Sequence, residues 1–465
     1  MTMIESALLS AIQKHPKTPV VIAYSGGVDS QVLLHALAKL RHAKQIPNPI
    51  TVCHVNHGLS ENASTWQRFA EQACKKLTLP FVACQVNVQK QAQQSLEAIA
   101  REARFKALQS LYHGQSLIFT GHHRDDQAET FLLALKRGSG LKGLSAMSSE
   151  AKHGKDIFVR PLLNISRTEI IRYAKAHKLD WVEDESNSDT RFDRNFIRQK
   201  IIPLLSERWP SITQTINRSS NHCFEGQLLL DELAEQDMAN CQLGESCLSV
   251  SGLSQLSIAR FNNLIRYFLA QYNYLMPSTE QLSQVYQQLC ASNDKSPAIK
   301  VANNYLRRYK NGLYLTADFL DISGWEETLY CKDTQAQYKG LSKVIKLPDA
   351  LGTITFAKMP ISNNDTFKTQ TSDVNNCCQK IALPTKNQKV TLCFSHSNPS
   401  CLPDYRNHSR SLKKILQELN IPPWQRRRIP FLYYDDQLVA AIGYFVCQAF
   451  IPNTAEPSIA ITRVK

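Results

Sequence analysis

Three clusters of residue types in this chain could do chemistry. Ser25-Gly26-Gly27-Val28-Asp29-Ser30 follows the apolar run Val20-Val21-Ile22-Ala23-Tyr24 and precedes the helix-patterned Val32, Leu33, Leu34, Ala36 and Leu37. Two glycines let the backbone bend sharply and approach a ligand with no Cβ in the way. A helix opening directly after them directs N–H groups and a positive dipole end at an anion. Asp29 in that first turn can carry Mg2+, which keeps several waters and is shared between carboxylates and phosphates. The second cluster, Gly121-His122-His123-Arg124-Asp125-Asp126-Gln127-Ala128-Glu129, opens a helix on which Asp126 and Glu129 share a face. Paired carboxylates there could complete a metal shell or accept a proton from an attacking amine; alone they would only complement the helix dipole. The third runs from Asp184 through Asp189 into a basic helix bearing Arg194, Arg198 and Lys200, on which Phe196, Ile197, Ile201 and Leu204 are expected to pack inward. Glu97, Arg101 and Arg104 share another helical face, readable as a surface ion pair or as a guanidinium fork.

Neither a Gly-Lys-Ser/Thr ending nor Gly-x-Gly-x-x-Gly is present in the first loop, which excludes the kinase-type and dinucleotide cradles. Its Ser-Gly-Gly-x-Asp-Ser string resembles the loop of the ATP pyrophosphatases, which cleave ATP between the α- and β-phosphates.

The elements that must position these residues follow from alternation. Apolar runs at 20–24, 50–55, 81–86 and 117–120 read as strands, and amphipathic stretches near 29–42, 62–78, 95–113, 124–137, 166–178 and 194–207 as helices. That pattern predicts an α/β domain over 1–215, a doubly wound parallel sheet whose ligands sit at the carboxyl ends of the strands. A mainly helical domain follows at 222–320, closing on a hairpin, 298–309 with 313–316, turned through Asn311-Gly312. A small α+β domain occupies 340–465, with a polar insertion or linker near 361–389, a basic helix at 411–419, and the cluster Arg426-Arg427-Arg428. The latest apolar stretch, 438–451, is too short for a membrane span and reads as strand.

A formal charge of +14 over 465 residues implies a polyanionic partner. Thirteen cysteines without Cys-x-x-Cys spacing indicate neither a disulfide framework nor a zinc module, and the N-terminus has no signal-like core. A cytoplasmic protein is expected, with no membrane partner.

The strings 25–30, His54-Val55-Asn56-His57-Gly58-Leu59, the Arg101/Arg104 helix, 121–130 with Arg137-Gly138-Ser139-Gly140, Asp184 through Leu205, and the tail 411–430 together resemble the bacterial tRNA(Ile)-lysidine synthetases. The resemblance implies a PP-loop (adenine nucleotide alpha hydrolase-like) first domain. It also implies ATP and Mg2+ as cofactors, and an isoleucine tRNA with a CAU anticodon and free L-lysine as substrates. The implied reaction adenylates the C2 oxygen of the wobble cytidine and lets the lysine ε-amine attack C2 and displace AMP, switching codon reading from AUG to AUA and aminoacylation from methionine to isoleucine. Carried over, Ser25, Gly26, Gly27, Val28, Asp29 and Ser30 bind ATP, with Asp29 and Asp126 on the metal. Asp29, Asp126, Glu129 and Arg104 serve catalysis, and His122, Arg194 and Arg198 contact substrate. The chain departs from the pattern at Ser60, Glu185 and 406–410. A tRNA thiolase is the nearest alternative, but its sulfur chemistry calls for clustered cysteines, and those of the first domain are dispersed in sequence. An amide synthetase would need a glutaminase portion, and only 24 residues precede the loop. A non-catalytic RNA binder would leave Asp29, Asp126 and Glu129 without purpose. Monomer and homodimer remain equally open.

Overall fold

The computed structural model describes residues 1–56, 58, 62–86, 96–112, 114–183, 185–272, 274, 276–289, 298–301, 303–330, 343–359, 376–385, 388–453 and 457–464. They form two compact units, Met1–Gln236 and Asp237–Lys465.

The first unit contains α1 (Met3–Gln13), β1 (Val20–Ala23), α2 (Val28–His42), β2 (Ile50–Asn56), α3 (Ala63–Lys76), β3 (Phe81–Gln85), α4 (Leu96–Gln109) and β4 (Leu117–Phe119). It continues through α5 (Arg124–Lys136), α6 (Leu141–Leu144), β5 (Glu150–His153), β6 (Asp156–Val159) and α7 (Arg167–Ala176). The sheet order is β3-β2-β1-β4-β6-β5, all parallel except the β5 edge. Alternate residues of each strand feed opposite cores. Val20, Ile22, Leu117 and Phe119 pack with α1, α2 and α7, whereas Val21, Ile118 and Phe158 pack with Leu108 of α4. Burial on both faces explains why β1 and β4 are continuous β-branched and apolar runs. Strand order reverses direction between β1 and β4. In doubly wound sheets, that switch point opens the crevice where ligands bind, and the first two chemical clusters begin there.

Helix α1 and strands β5 and β6 were not anticipated; β5 reads Glu-Ala-Lys-His because it is a half-exposed edge. The basic helix expected at 194–207 is three pieces: α8 (Asp193–Phe196), a π-helical turn (Ile197–Ile201) and α9 (Ile202–Arg208). Pro203 lies in the first turn of α9, directly after the π-helical turn. Helix α10 (Ile212–Cys241) then runs unbroken through the boundary expected near 215–222.

In the second unit, β7 (Gln242–Gly244) and β8 (Cys247–Ser249) precede α11 (Val250–Leu253), α12 (Ile258–Gln271) and α13 (Thr279–Leu289). Strands β9 (Ala298–Val301), β10 (Asn304–Tyr309) and β11 (Gly312–Ala317) complete a sheet of order β7-β8-β11-β10-β9 around a core centred on Phe261, Leu264 and Phe268. The stretch 298–309 is therefore two antiparallel strands rather than one. Tyr309 pairs with Gly312, so the turn residues are Lys310 and Asn311, one position earlier than the Asn-Gly signal suggested.

The remainder pairs two antiparallel sheets. One is β12 (Glu326–Tyr330), β16 (Val390–Cys393), β19 (Phe431–Tyr434), β20 (Gln437–Ala441) and β21 (Phe445–Val446). The other is β13 (Lys343–Lys346), β14 (Thr353–Met359), β22 (Ser458–Val464) and β15 (Asn376–Ala382). The short pair β17 (Ser400–Cys401) and β18 (Arg410–Ser411) leads into α14 (Leu412–Glu418) and α15 (Pro423–Arg426). The linker expected at 361–389 is thus shorter: 376–382 pairs along the whole of β22 because Cys377, Gln379 and Ile381 face the core, while 360–375 lies outside the described residues. The apolar stretch 438–451 is strand only in β20 and β21.

Candidate active site

The loop after β1 is held open by its own side chains and by a neighbouring segment. Gly26 has φ +89°, a conformation that side-chain-bearing residues avoid. Ser30 Oγ accepts from the N–H of Gly26 (3.2 Å) and of Ser25 (3.3 Å), and donates to the carbonyl of Gly27 (2.9 Å). Val182 N–H donates to the Gly26 carbonyl at 3.0 Å, clamping the loop from outside. Gly27 is the N-cap of α2 and has no side chain to satisfy the helix end, so that end faces the crevice uncapped. From β4, Gly121 packs directly on the loop: a Cβ there would lie 3.0 Å from the Asp29 carbonyl carbon and 3.1 Å from the Ser30 nitrogen. Both atoms are backbone, which explains a glycine at this second strand end.

Behind the loop lies a charged cluster. His123, the N-cap residue of α5 and almost wholly buried, sits between carboxylates: Nε2 is 3.5 Å from Asp29 Oδ1 and 3.4 Å from Asp126 Oδ2, and Nδ1 is 3.7 Å from Asp125 Oδ2. Asp126 Oδ2 also accepts the His123 N–H at 3.0 Å, closing the helix cap. Asp126 Oδ1 takes Nη2 of Arg194 (3.0 Å) and of Arg198 (3.1 Å). Glu129, one turn on and 0% exposed, accepts Arg194 Nε at 2.7 Å, Arg198 Nε at 2.6 Å and Arg198 Nη2 at 2.9 Å. Charge-assisted forks of this kind are strong and geometrically specific.

Protonation follows from these neighbours. Burial disfavours the Asp126 carboxylate, but His123, Arg194, His122 and the His123 N–H outweigh it and hold the pKa at about 2. Asp29 goes the other way: burial raises its pKa, with the Asp126 charge adding to the rise against His123, Arg167 and Arg198. Burial lowers the pKa of each guanidinium, yet Asp126 and Glu129 reverse that and raise both Arg194 and Arg198.

The expectation for the basic helix holds only in part: Ile197 is buried, Ile201 packs against the same core and Lys200 is exposed, as expected. Arg194 and Arg198 turn inward onto Glu129, while Phe196 and Leu204 are 45% and 64% exposed. The pull of a fully buried carboxylate decides the helix orientation, and hydropathy alone does not show it. His122 is drawn aside, its Nδ1 2.8 Å from Thr120 Oγ1, and His123 takes the central place. The N-cap position of His123, one residue before the acidic turn, is the sequence signal that points to it. His54, buried at the end of β2, places Nδ1 3.1 Å from the Tyr24 carbonyl. Burial lowers its pKa; the Tyr24 carbonyl opposes the fall and the charge of Arg104 adds to it. Arg104 itself is exposed on α4. Asp184, Ser60 and His57 lie outside the described residues, as do the side chains of Glu97 and Arg101.

For Mg2+, the residues fit at one position. Asp29 Oδ1 is buried with no hydrogen-bond partner, a carboxylate oxygen left for a cation. Asp126, expected as a second ligand, has both oxygens engaged by Arg194, Arg198 and the His123 N–H. Among the described residues no group of three or more His, Cys, Asp or Glu forms a metal cage.

Cys53 and Cys84, far apart in sequence, bring their sulfurs to 3.7 Å across β2 and β3, packed in the core with Leu108 and Phe158. Sequence dispersal was therefore an incomplete argument against a thiolase.

Three family models match in order along the chain: a PP-loop domain over 1–205, a TilS substrate binding domain over 248–314, and a TilS substrate C-terminal domain over 390–462. A tRNA(Ile)-lysidine synthase of Vibrio vulnificus is 41% identical over 96% of both chains. Proteins of that name from Serratia proteamaculans (40% identical, 92% of both) and Coxiella burnetii (36%, 92% of this chain and 89% of that one) match similarly. The chain belongs to the tRNA(Ile)-lysidine synthase family. Among solved structures, the U34-tRNA thiolase NcsA from Methanococcus maripaludis covers 48% of this chain and 78% of its own at TM-score 0.41 and 18% identity, too remote to bear on chemistry. No described helix is long and apolar enough to cross a membrane.

Proposed function

We propose that this chain forms lysidine on an isoleucine tRNA with a CAU anticodon, consuming ATP and free L-lysine. Full-length kinship with the lysidine synthases carries this reading. The loop 25–30 at the switch point supports ATP binding, since an uncapped helix end and two glycines suit a polyphosphate. Asp29, whose buried Oδ1 makes no hydrogen bond, is the residue that would hold Mg2+. A bound ion would offset the charge of the phosphates.

In the first step the C2 oxygen of the wobble cytidine attacks the α-phosphorus and pyrophosphate leaves. In the second, the lysine ε-amine forms a bond to C2, the C2–O bond breaks, and AMP departs with that oxygen. The amine loses a proton as it bonds. Asp126, held near 2, is a weak proton acceptor and is better suited to stabilising the incoming ammonium by its charge. Glu129 and Asp126 fix Nε and Nη2 of both arginines, which leaves the Nη1 edges to meet a phosphate or the lysine carboxylate. Arg104 and His122 are further contacts for substrate at the same crevice. The regions 222–320 and 340–465 bind the rest of the tRNA, in keeping with the basic charge. Monomer and homodimer both accommodate this scheme.

The test follows AMP release from α-phosphate-labelled ATP with the CAU-anticodon tRNA. Release that rises on adding lysine supports the reading. Release that ignores lysine and requires a sulfur donor would move the protein to the thiolases.

A further inference from the structure

The outward turn of Phe196 leaves an apolar surface that the lysidine chemistry above does not use. Leu132 and Leu135 of α5, Phe196, Ile197 and Ile201 line a trough of about 400 Å3, with the Lys136–Asp193 ion pair (2.7 Å) at its rim. Leu135 is 56% exposed, and Phe192 stands at 53% four residues before Phe196. Aromatic and aliphatic groups kept in water forgo the stabilisation that burial would give. A contiguous apolar patch of this kind marks an interaction site.

Its surroundings select the partner. The same two elements that wall the trough carry Asp126, Glu129, Arg194 and Arg198 on their inner faces, so the trough adjoins the candidate active site. Arg137 at the end of α5 and Lys200 in the π-helical turn are exposed cations on those elements. An exposed aromatic ring on elements that also carry exposed cations fits a nucleotide, whose base stacks on the ring while its phosphates meet the charges. We propose that the Phe196 trough receives an unpaired base of the RNA loop, next to the base that enters the active site, with Phe196 as the stacking platform. A paired base presents only its edges, so the platform makes the enzyme select a single-stranded loop. This rests on the proposed function, because it takes the RNA substrate from that reading.

The test uses the full chain and two readouts. The unmodified isoleucine tRNA is titrated against wild type, Phe196→Ala and Phe196→Trp at several salt concentrations. Phe196→Ala loses one stacked base and should weaken binding roughly tenfold with an unchanged salt slope, and Phe196→Trp should restore it. By contrast, Lys200→Ala should flatten the slope by about one ion. Independently, 2-aminopurine placed at each unpaired position flanking the wobble base should lose fluorescence at one position on wild-type protein and keep it on Phe196→Ala. This second readout stands even if the alanine variant is less stable, since wild type alone must show the quench. Unquenched probes at every position, with Phe196→Ala binding within twofold of wild type, would overturn the assignment. So would a wild-type dimer that Phe196→Ala converts to monomers, which would mean a second copy covers the trough. If wild type makes no lysidine, the proposed function fails first; if it does and Phe196 is silent, only this inference fails.

Discussion

Replacing Glu129 by Gln probes whether the cluster of Asp126, Glu129, Arg194 and Arg198 is what organises the site. Glu129 has no exposed surface and accepts three N–H bonds of 2.6–2.9 Å from two guanidiniums. Glutamine keeps the shape but removes the charge and turns an amide donor toward a guanidinium donor. Breaking a buried pair by neutralising one partner costs about 3–5 kcal/mol. Arg194 and Arg198 remain about a quarter exposed, so water recovers part of that loss. The expected cost is therefore at the lower end, about 3 kcal/mol. Hydrogen exchange of α5 and the segment 193–208 under increasing urea reads the first unit alone. A cycle with Arg198→Gln should show the single substitutions coupled by more than about 1 kcal/mol. Lysidine formation should fall in both single variants, because the arginines lose their anchor. Additivity within about 0.5 kcal/mol would refute the reasoning, since residues sharing these hydrogen bonds cannot behave independently.

Asp29→Asn should abolish AMP release while leaving tRNA affinity nearly intact. It should also raise the melting temperature at neutral pH: the folded pKa of Asp29 is raised, so its charge opposes folding once pH exceeds the unfolded value. Asp126 has the opposite sign. Its pKa is depressed to about 2, so the stability it contributes is complete above about 4 and lost as pH falls from there toward 2; Asp126→Asn should flatten that part of the acid-unfolding profile. Gly121→Ala should raise the KM for ATP, because the new methyl presses on the backbone of Asp29 and Ser30. Gly26→Ala should cost about 1–3 kcal/mol through its positive φ and weaken ATP binding.

Sequence periodicity carried the first unit well where burial is two-sided. Strands β1 and β4 are continuous apolar runs, and the glycines after them mark the switch point. It carried less where charge decides orientation. Phe196 and Leu204 had the pattern of a core face, but Glu129 needs two cations, and satisfying a buried carboxylate outweighs burying one more ring. The same cause engages both oxygens of Asp126, a carboxylate that spacing offers to a metal, with Arg194, Arg198 and the His123 N–H. His123 was hidden by its neighbour His122, since only cap geometry tells which imidazole turns inward. In the second unit, the Asn-Gly dipeptide marked a turn correctly but one residue late, because hairpin register depends on pairing across both strands.

Lysidine formation is tested by supplying labelled L-lysine, ATP and Mg2+ with the unmodified isoleucine tRNA, digesting the RNA to nucleosides, and locating the label. The account predicts one lysine per AMP released, carried on the wobble cytidine alone, with a tRNA of altered anticodon left unlabelled. ATP cleavage without lysine in the RNA, or label at any other nucleoside, would contradict it.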